Sequence, residues 1–222
     1  MSTVLLTGAT GLVGRICLDL LLQDPYFKEV RVISRRPLYH EDPKLKEFIT
    51  DFNNLESLAG EFEAEIVICC LGSTIKDAGS REQFMKIDHD YPVQIAQIAH
   101  RKGSRHFMVI SSIGASKSSL FFYSRVKGMM EDNVKMLPYE SISIFQPSLI
   151  DGERKEVRVM EQLSLKMSRP LGKLLQGSLK KYRPIAAQDI ARAIIHAAKN
   201  NLPGIHYYTG DKIKDCSDRY SL

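Results

Sequence analysis

Short runs of aliphatic and β-branched residues alternate with longer amphipathic stretches along this chain. Residues 3–7 are a strand-length apolar run, and residues 12–23 repeat apolar positions at helical spacing. Asp24-Pro25 ends that helix, because a residue before proline is biased away from helical geometry. The pattern then predicts strands over 30–34 and 47–52, a brief helix over 55–62, and a strand over 65–71. The last of these, Glu-Ile-Val-Ile-Cys-Cys-Leu, is almost continuously apolar, as a strand covered on both faces must be. A helix over 83–101 carries Ile87, Tyr91, Ile95 and Ile98 on one face. A strand over 106–111, a long helix over 122–137 and a strand over 141–146, closed by Pro147, come next. A helix over 187–199 and a strand over 205–209 precede a polar tail. Strands spaced by helices in this way predict an α/β fold, a doubly wound parallel sheet with helices on both faces. Residues 151–184 interrupt the alternation and are expected to form a small basic cap on a single domain spanning 1–222.

The 222 residues suffice to bury a sizeable core without a disulfide or a structural metal. Cys17, Cys69, Cys70 and Cys216 form no C-x-x-C pair, and Cys69 and Cys70 would face opposite sides of a strand. They read as small core residues. The six histidines are scattered, so no metal is expected. No basic segment leads the first strand, and no apolar run approaches the roughly 20 residues needed to cross a bilayer. A cytoplasmic protein without a membrane span is expected. Residues 151–184 hold nine Lys and Arg against four Asp and Glu, which equals the whole formal charge of +5. Such a segment is either a solvated face or an attractor for an anionic ligand. No nucleic-acid motif accompanies it, so nucleic acid is not an expected partner.

Chemistry enters at the first strand–helix junction. Thr7-Gly8-Ala9-Thr10-Gly11-Leu12-Val13-Gly14 places G-x-x-G-x-x-G where a Rossmann dinucleotide fingerprint belongs. Gly8 permits the tight turn, Gly11 lets the backbone approach a pyrophosphate, and Gly14 allows the helix to pack closely on the sheet. Thr10, Leu12 and Val13 lie in the same cradle, where the helix N-terminus favours an anion. Strand two ends in Arg35-Arg36, where an NAD-selective site commonly has an acid. Guanidinium groups can bond a 2′-phosphate, so the expected cofactor is NADP(H). Asp51 either accepts from the adenine amino group or caps the helix that follows it. Leu71 and Gly72 close the fourth strand, at the crevice where ligands bind such sheets.

Beyond strand five stand Ser111-Ser112 and then Tyr123-Ser124-Arg125-Val126-Lys127. Tyr123 and Lys127 are four apart on a predicted helix and share a face. A nearby ammonium stabilises a phenolate, which makes Tyr123 a candidate acid/base for an alcohol or carbonyl. Ser112, just past the strand end, is the candidate to position the substrate oxygen, with Ser111 as the alternative.

Gly8-Ala9-Thr10-Gly11, Arg35-Arg36, Cys69-Cys70-Leu71-Gly72-Ser73-Thr74, Asp88-His89-Asp90-Tyr91 and Ser111-Ser112 through Lys127-Gly128 together resemble the atypical short-chain dehydrogenases/reductases. Within them the chain is similar to the Tat-interacting protein oxidoreductases and their bacterial relatives. The resemblance implies NADPH as cofactor, Tyr123 and Lys127 as the acting pair, and further cofactor contacts at Ile150 and Arg158. It also departs from the superfamily: Asp88 stands where many members carry an Asn that supports a proton-relay water. The stretch after strand six is short for a sugar-nucleotide pocket. The expected function is an NADP(H)-dependent oxidoreductase acting on a small carbonyl or alcohol. The alternatives are an NADPH-binding regulatory protein acting through protein partners, and an epimerase or dehydratase. The resemblance leaves oligomeric state open, with the Tyr-bearing helix, a common dimer face in the superfamily, as the candidate surface for a homodimer.

Overall fold

The computed structural model describes residues 2–151 and 183–221. Seven strands form one sheet: β1 (Ser2–Thr7), β2 (Phe27–Ser34), β3 (Leu45–Ile49), β4 (Ile66–Cys69), β5 (His106–Ile110), β6 (Ser141–Gln146) and, last in the chain, β9 (Gly204–Thr209). Their order is β3-β2-β1-β4-β5-β6-β9, and every neighbouring pair is parallel. This is the Rossmann-like α/β sheet expected from the sequence. Two further short strands, β7 (Ile150–Asp151) and β8 (Ile185–Ala186), pair with each other. They bracket the basic segment, most of which, Arg158 included, lies outside the described residues.

The period of two along each strand sorts the core into two layers. Val4 and Leu6 of β1, with Ile66 and Ile68 of β4, face α1 (Leu12–Gln23) and a C-terminal helix, Ala187–Asn200. Leu5, Val67 and Cys69 face the other way, toward the 3-10 helix Leu55–Phe62 and two central helices. Those are α4 (Tyr91–Arg101) and α5 (Phe122–Lys135). From β1 the chain steps outward to β2 and β3, then returns to β4 and proceeds the other way. The crevice of this switch point therefore opens at the C-terminal ends of β1 and β4.

Three sequence expectations need correction. The helix expected over 83–101 begins earlier and is broken in register. A one-turn α2 (Ile75–Ala78) precedes α3 (Arg81–Met85), whose cap, Ser80, accepts from the Gln83 amide at 3.1 Å. A π turn, Lys86–Asp90, then joins α3 to α4. A π turn inserts a residue, which shifts the buried face, and a fixed helical period cannot register it. The tail after β9 is not a tail. With Ala187–Asn200 numbered α6, residues Gly210–Arg219 form α7. Only Gly210, Ile213 and Ser217 of α7 are buried, and Ser217 Oγ donates to Asp189 of α6 at 2.8 Å. So few apolar positions leave little periodic signal. Finally, β3 ends at Ile49 rather than at residue 52, and Phe52 is buried with a left-handed φ of 68°.

One long-range tie closes the molecule. The fully buried Asp24 caps the end of α1, where Oδ1 accepts from the Tyr26 amide at 2.9 Å. Its Oδ2 takes Lys199 Nζ at 2.8 Å and the Tyr220 hydroxyl at 3.4 Å. Lys44 Nζ adds bonds to the carbonyls of Leu22 and Asp24 at 2.9 and 3.0 Å. Among the described residues no helix is long and apolar enough to cross a membrane. Asp24→Ala removes these acceptors while Lys199 can rehydrate, so we expect a loss of about 2 kcal/mol of stability. Urea unfolding of both proteins measures it.

Candidate active site

At the end of β1 the chain turns at Gly8 with φ of 79°, a conformation L side chains rarely adopt. The turn also lies against β4: a Cβ on Gly8 would sit 2.6 Å from the Cys70 carbonyl. Gly14, in the first turn of α1, is pressed onto the turn itself, where a Cβ would stand 2.1 Å from the Gly8 oxygen. Its close contact is thus with the loop, not with the sheet as the motif suggested. Gly11 is the N-cap of α1; it offers no capping side chain, and no acid occupies the first turn. The free amides at the start of α1 are accordingly left for an anion.

Most of the residues singled out in the sequence meet in one cleft above this turn. Gly11, Leu12 and Val13 line it from α1, Leu71 and Gly72 from the end of β4, and Ser112 from the end of β5. Tyr123 and Lys127 enter from α5, and Ile150 from β7. Gly8 shapes the turn beneath, and Thr10 is exposed on it.

Arg35 and Arg36 are exposed beyond β2. Their turn is ordered by Glu47, which accepts from Ser34 Oγ at 3.1 Å and the Leu38 amide at 3.0 Å. Ser34 Oγ also donates to the Arg36 carbonyl at 2.7 Å. Asp51 stands on the surface, outside β3, and holds the Asn53 amide and side chain at 2.9 and 2.8 Å. The Asn53 amide above all keeps its carboxyl below the ordinary value. It does not cap the 3-10 helix, whose N-cap is Asn54.

Two buried carboxylates, neither of them counted as a site residue from the sequence, bond residues of the cleft, and of the two Asp88 lines it. Asp88, in the π turn, accepts from the Ser73 amide and hydroxyl at 2.8 and 2.6 Å and lies 2.8 Å from Lys127 Nζ. Lys127 also donates to the Ile110 carbonyl at 3.3 Å. Glu131, one turn beyond Lys127, accepts from Ser111 Oγ and, at 2.8 Å, from Gln146 Nε2. Ser111 also lines the cleft, but its hydroxyl is already engaged by Glu131. Ser112 Oγ is buried and has no partner among the described residues. The Tyr123 ring packs 5.5 Å from that of Phe84. Signals for the carboxylates exist, a departure from family pattern at Asp88 and an acid on the buried face of α5 at Glu131. Their partners, however, are distant in sequence: Ser73 and Lys127 for Asp88, Ser111 and Gln146 for Glu131.

Cys69 and Cys70 are poor nucleophiles here. Burial pushes the Cys69 thiol up to about 11, and the neighbouring Cys17 thiol, with burial, pushes Cys70 well above its ordinary value.

Comparison with known proteins gives these residues a context. The model of the NAD dependent epimerase/dehydratase family matches residues 4–210. Protein HTATIP2 of Rattus norvegicus is 35% identical over 168 residues, covering 74% of this chain and 69% of that protein. Protein fmp52, mitochondrial, of Aspergillus clavatus is 36% identical over 213 residues, covering 92% and 90%. The cytoplasmic placement expected from the sequence gains no support from the fungal relatives, which are named mitochondrial. Among solved structures, the Bordetella bronchiseptica enzyme WbmH in complex with NAD+ superposes with a TM-score of 0.70 at 16% identity, over 98% of this chain and 79% of that one. A putative NAD-dependent epimerase/dehydratase from Bacillus halodurans gives 0.68 at 17% identity, over 99% and 100%. Both are similar in fold.

Glu131 supplies a test of the electrostatics. Burial raises its carboxyl above the ordinary value of 4.5, against the lowering effect of Gln146 and Ser111. Its favourable contribution is complete below 4.5 and is lost as pH rises through the raised folded value. Glu131→Gln lacks this dependence. Urea midpoints of the two proteins, taken from about pH 4 to pH 8, should therefore shift in the variant's favour as pH rises.

Proposed function

We propose, from the premise that this chain belongs to the NAD dependent epimerase/dehydratase family, that it is an NADP(H)-dependent oxidoreductase acting on a small carbonyl or alcohol. The observation that carries the reading is the convergence of Tyr123, Lys127 and the unpartnered Ser112 hydroxyl on the cleft that the glycine turn lines.

The residues fit a dinucleotide. The turn at Gly8 leaves room for backbone alone, and the uncapped start of α1 presents donors without a competing acid. When bound, the cofactor supplies hydride transfer at its nicotinamide ring. Gly11, Leu12 and Val13 hold the pyrophosphate, Leu71, Gly72 and Ile150 bound the dinucleotide's path, and Lys127 bonds the nicotinamide ribose. Ser112 donates to the substrate oxygen. Tyr123 delivers the proton to that oxygen in reduction, or removes it in oxidation. Arg35 and Arg36 are the exposed cations at the end of β2, where a 2′-phosphate is read. The nearby Glu47 carboxylate is already occupied by Ser34 and Leu38. These features support NADP(H) over NAD(H).

The test is NADPH consumption across a panel of aldehydes, ketones and quinones, with product analysis to detect turnover without net oxidation. We expect Tyr123→Phe to lower the rate by about 10²- to 10⁴-fold and to leave NADPH binding intact. Tight binding with no turnover on any compound would favour the regulatory reading. Separately, replacing Arg35 and Arg36 together by Ala should weaken NADPH about tenfold and leave NADH affinity unchanged, as measured by cofactor fluorescence.

A further inference from the structure

Asp88 has no part in the reading above, yet it is a fully buried charge lining the cleft. The π turn that carries it adds a backbone residue and turns its side chain inward. Both carboxylate oxygens are engaged: Oδ2 by the amide and hydroxyl of Ser73, Oδ1 by Lys127 Nζ at 2.8 Å. Gly72 lies over the pair. A Cβ there would stand 3.4 Å from Asp88 Oδ1 and 3.6 Å from Lys127 Nζ, so no side chain at position 72 screens the pair from the cleft.

We infer that Asp88 is a positioning residue for this site, holding the Lys127 ammonium against the Ile110 carbonyl and offsetting its charge beside Tyr123. The inference rests on the reading of Tyr123 and Lys127 as the proton-handling pair. An ammonium one helical turn from a phenol favours the phenolate, and a carboxylate bound to that ammonium opposes it. Other groups that carry or can carry charge surround the pair. Glu131 lies one turn on along α5, bonded by Ser111 and Gln146. His89 of the π turn meets Asp90 and Asn133. Arg81 of α3 and Arg125 of α5 lie 5.1 and 5.8 Å from the Phe122 ring centroid. The Cys69 and Cys70 thiols at the end of β4 stay neutral. Of these groups and Asp88, it is Asp88 that stands at ion-pair distance from Lys127. The site thus has a carboxylate clamp on the ammonium that Tyr123 shares a helix face with.

The test is the titration of the Tyr123 phenol, followed by carbon-13 NMR on protein labelled at the oxygen-bearing ring carbon of tyrosine. The resonance is assigned by its loss in Tyr123→Phe. Asp88→Asn keeps the shape and removes the charge. It should move the Tyr123 midpoint down by about one pH unit and carry the pH limb of the NADPH-dependent rate with it. Asp88→Glu, which restores the charge, should return the midpoint most of the way. Asp88→Ser reads the same quantity through a smaller side chain if the Asn variant does not fold. A Tyr123 midpoint unmoved in a folded neutral variant overturns the inference. Because the titration needs no turnover, the two readings separate. An inactive wild type whose midpoint moves in Asp88→Asn keeps the clamp and refutes the oxidoreductase, whereas an active wild type with an unmoved midpoint does the reverse.

Discussion

At the C-terminal ends of β1 and β4 two turns of main chain lie in contact, with Gly8 against the Cys70 carbonyl and Gly14 against Gly8. A single added Cβ at either glycine would force those turns apart. The start of α1 is held where it is by this contact, and with it the amides that face the crevice. The turn after β4 is held by the same contact, so Leu71 and Gly72 fall opposite α1 rather than beside it. The cleft is therefore a consequence of parallel strands meeting backbone to backbone. Side chains from β5 and α5 only furnish its far wall.

That far wall carries its own constraint, the burial of ions. Lys127 and Asp88 are almost wholly removed from water, and burying such a pair costs more than it returns unless the remaining polar atoms are satisfied. Ser73 and the Ile110 carbonyl provide that satisfaction. The Ile110 carbonyl closes β5 and Ser73 lies in the loop that follows β4, so the pair is tied to segments outside its own helices. One turn further along the same face of α5, Glu131 is treated similarly by Ser111 and Gln146, at the ends of β5 and β6. Tyr123, Lys127 and Glu131 are spaced by four, so a single face of α5 carries the phenol and is pinned by polar contacts at both of the following turns.

How legible these features were depends on whether a local rule sufficed. Helix 12–23 and strand 141–146 were read to the residue because glycine and proline punctuate their ends. Strand β2 starts three residues before the expected position, since Lys28 and Glu29 look polar until Glu29 is seen to meet Arg31 and Lys46. Helix α7 was invisible because its inward face is short of large apolar residues: Ile213 is buried in the core, Cys216 packs against it, and polar ties to Asp189 of α6 complete the contact. The glycine turn could be read because only glycine satisfies its backbone. Asp88 and Glu131 could not be assigned, because what each does is decided by a partner far away in sequence.

Several buried hydroxyls of the scaffold are paired: Ser104 donates to the Ala64 carbonyl, Ser141 to the Leu202 carbonyl, and Ser143 shares a bond with His106 Nε2, although His106 Nδ1 and His100 Nδ1 have no partner among the described residues. Burial pushes His106 down to about 4, so that bond joins neutral groups at ordinary pH. The Ser112 hydroxyl is equally buried, lines the cleft, and has no such partner among the described residues. Leaving a buried hydroxyl unbonded costs roughly 1–3 kcal/mol. Its neighbour Ser111 avoids that cost by donating to Glu131. One serine is thus committed to the scaffold and the other is held, unsatisfied, at the mouth of the cleft. A ligand oxygen is the chemical group that would complete it.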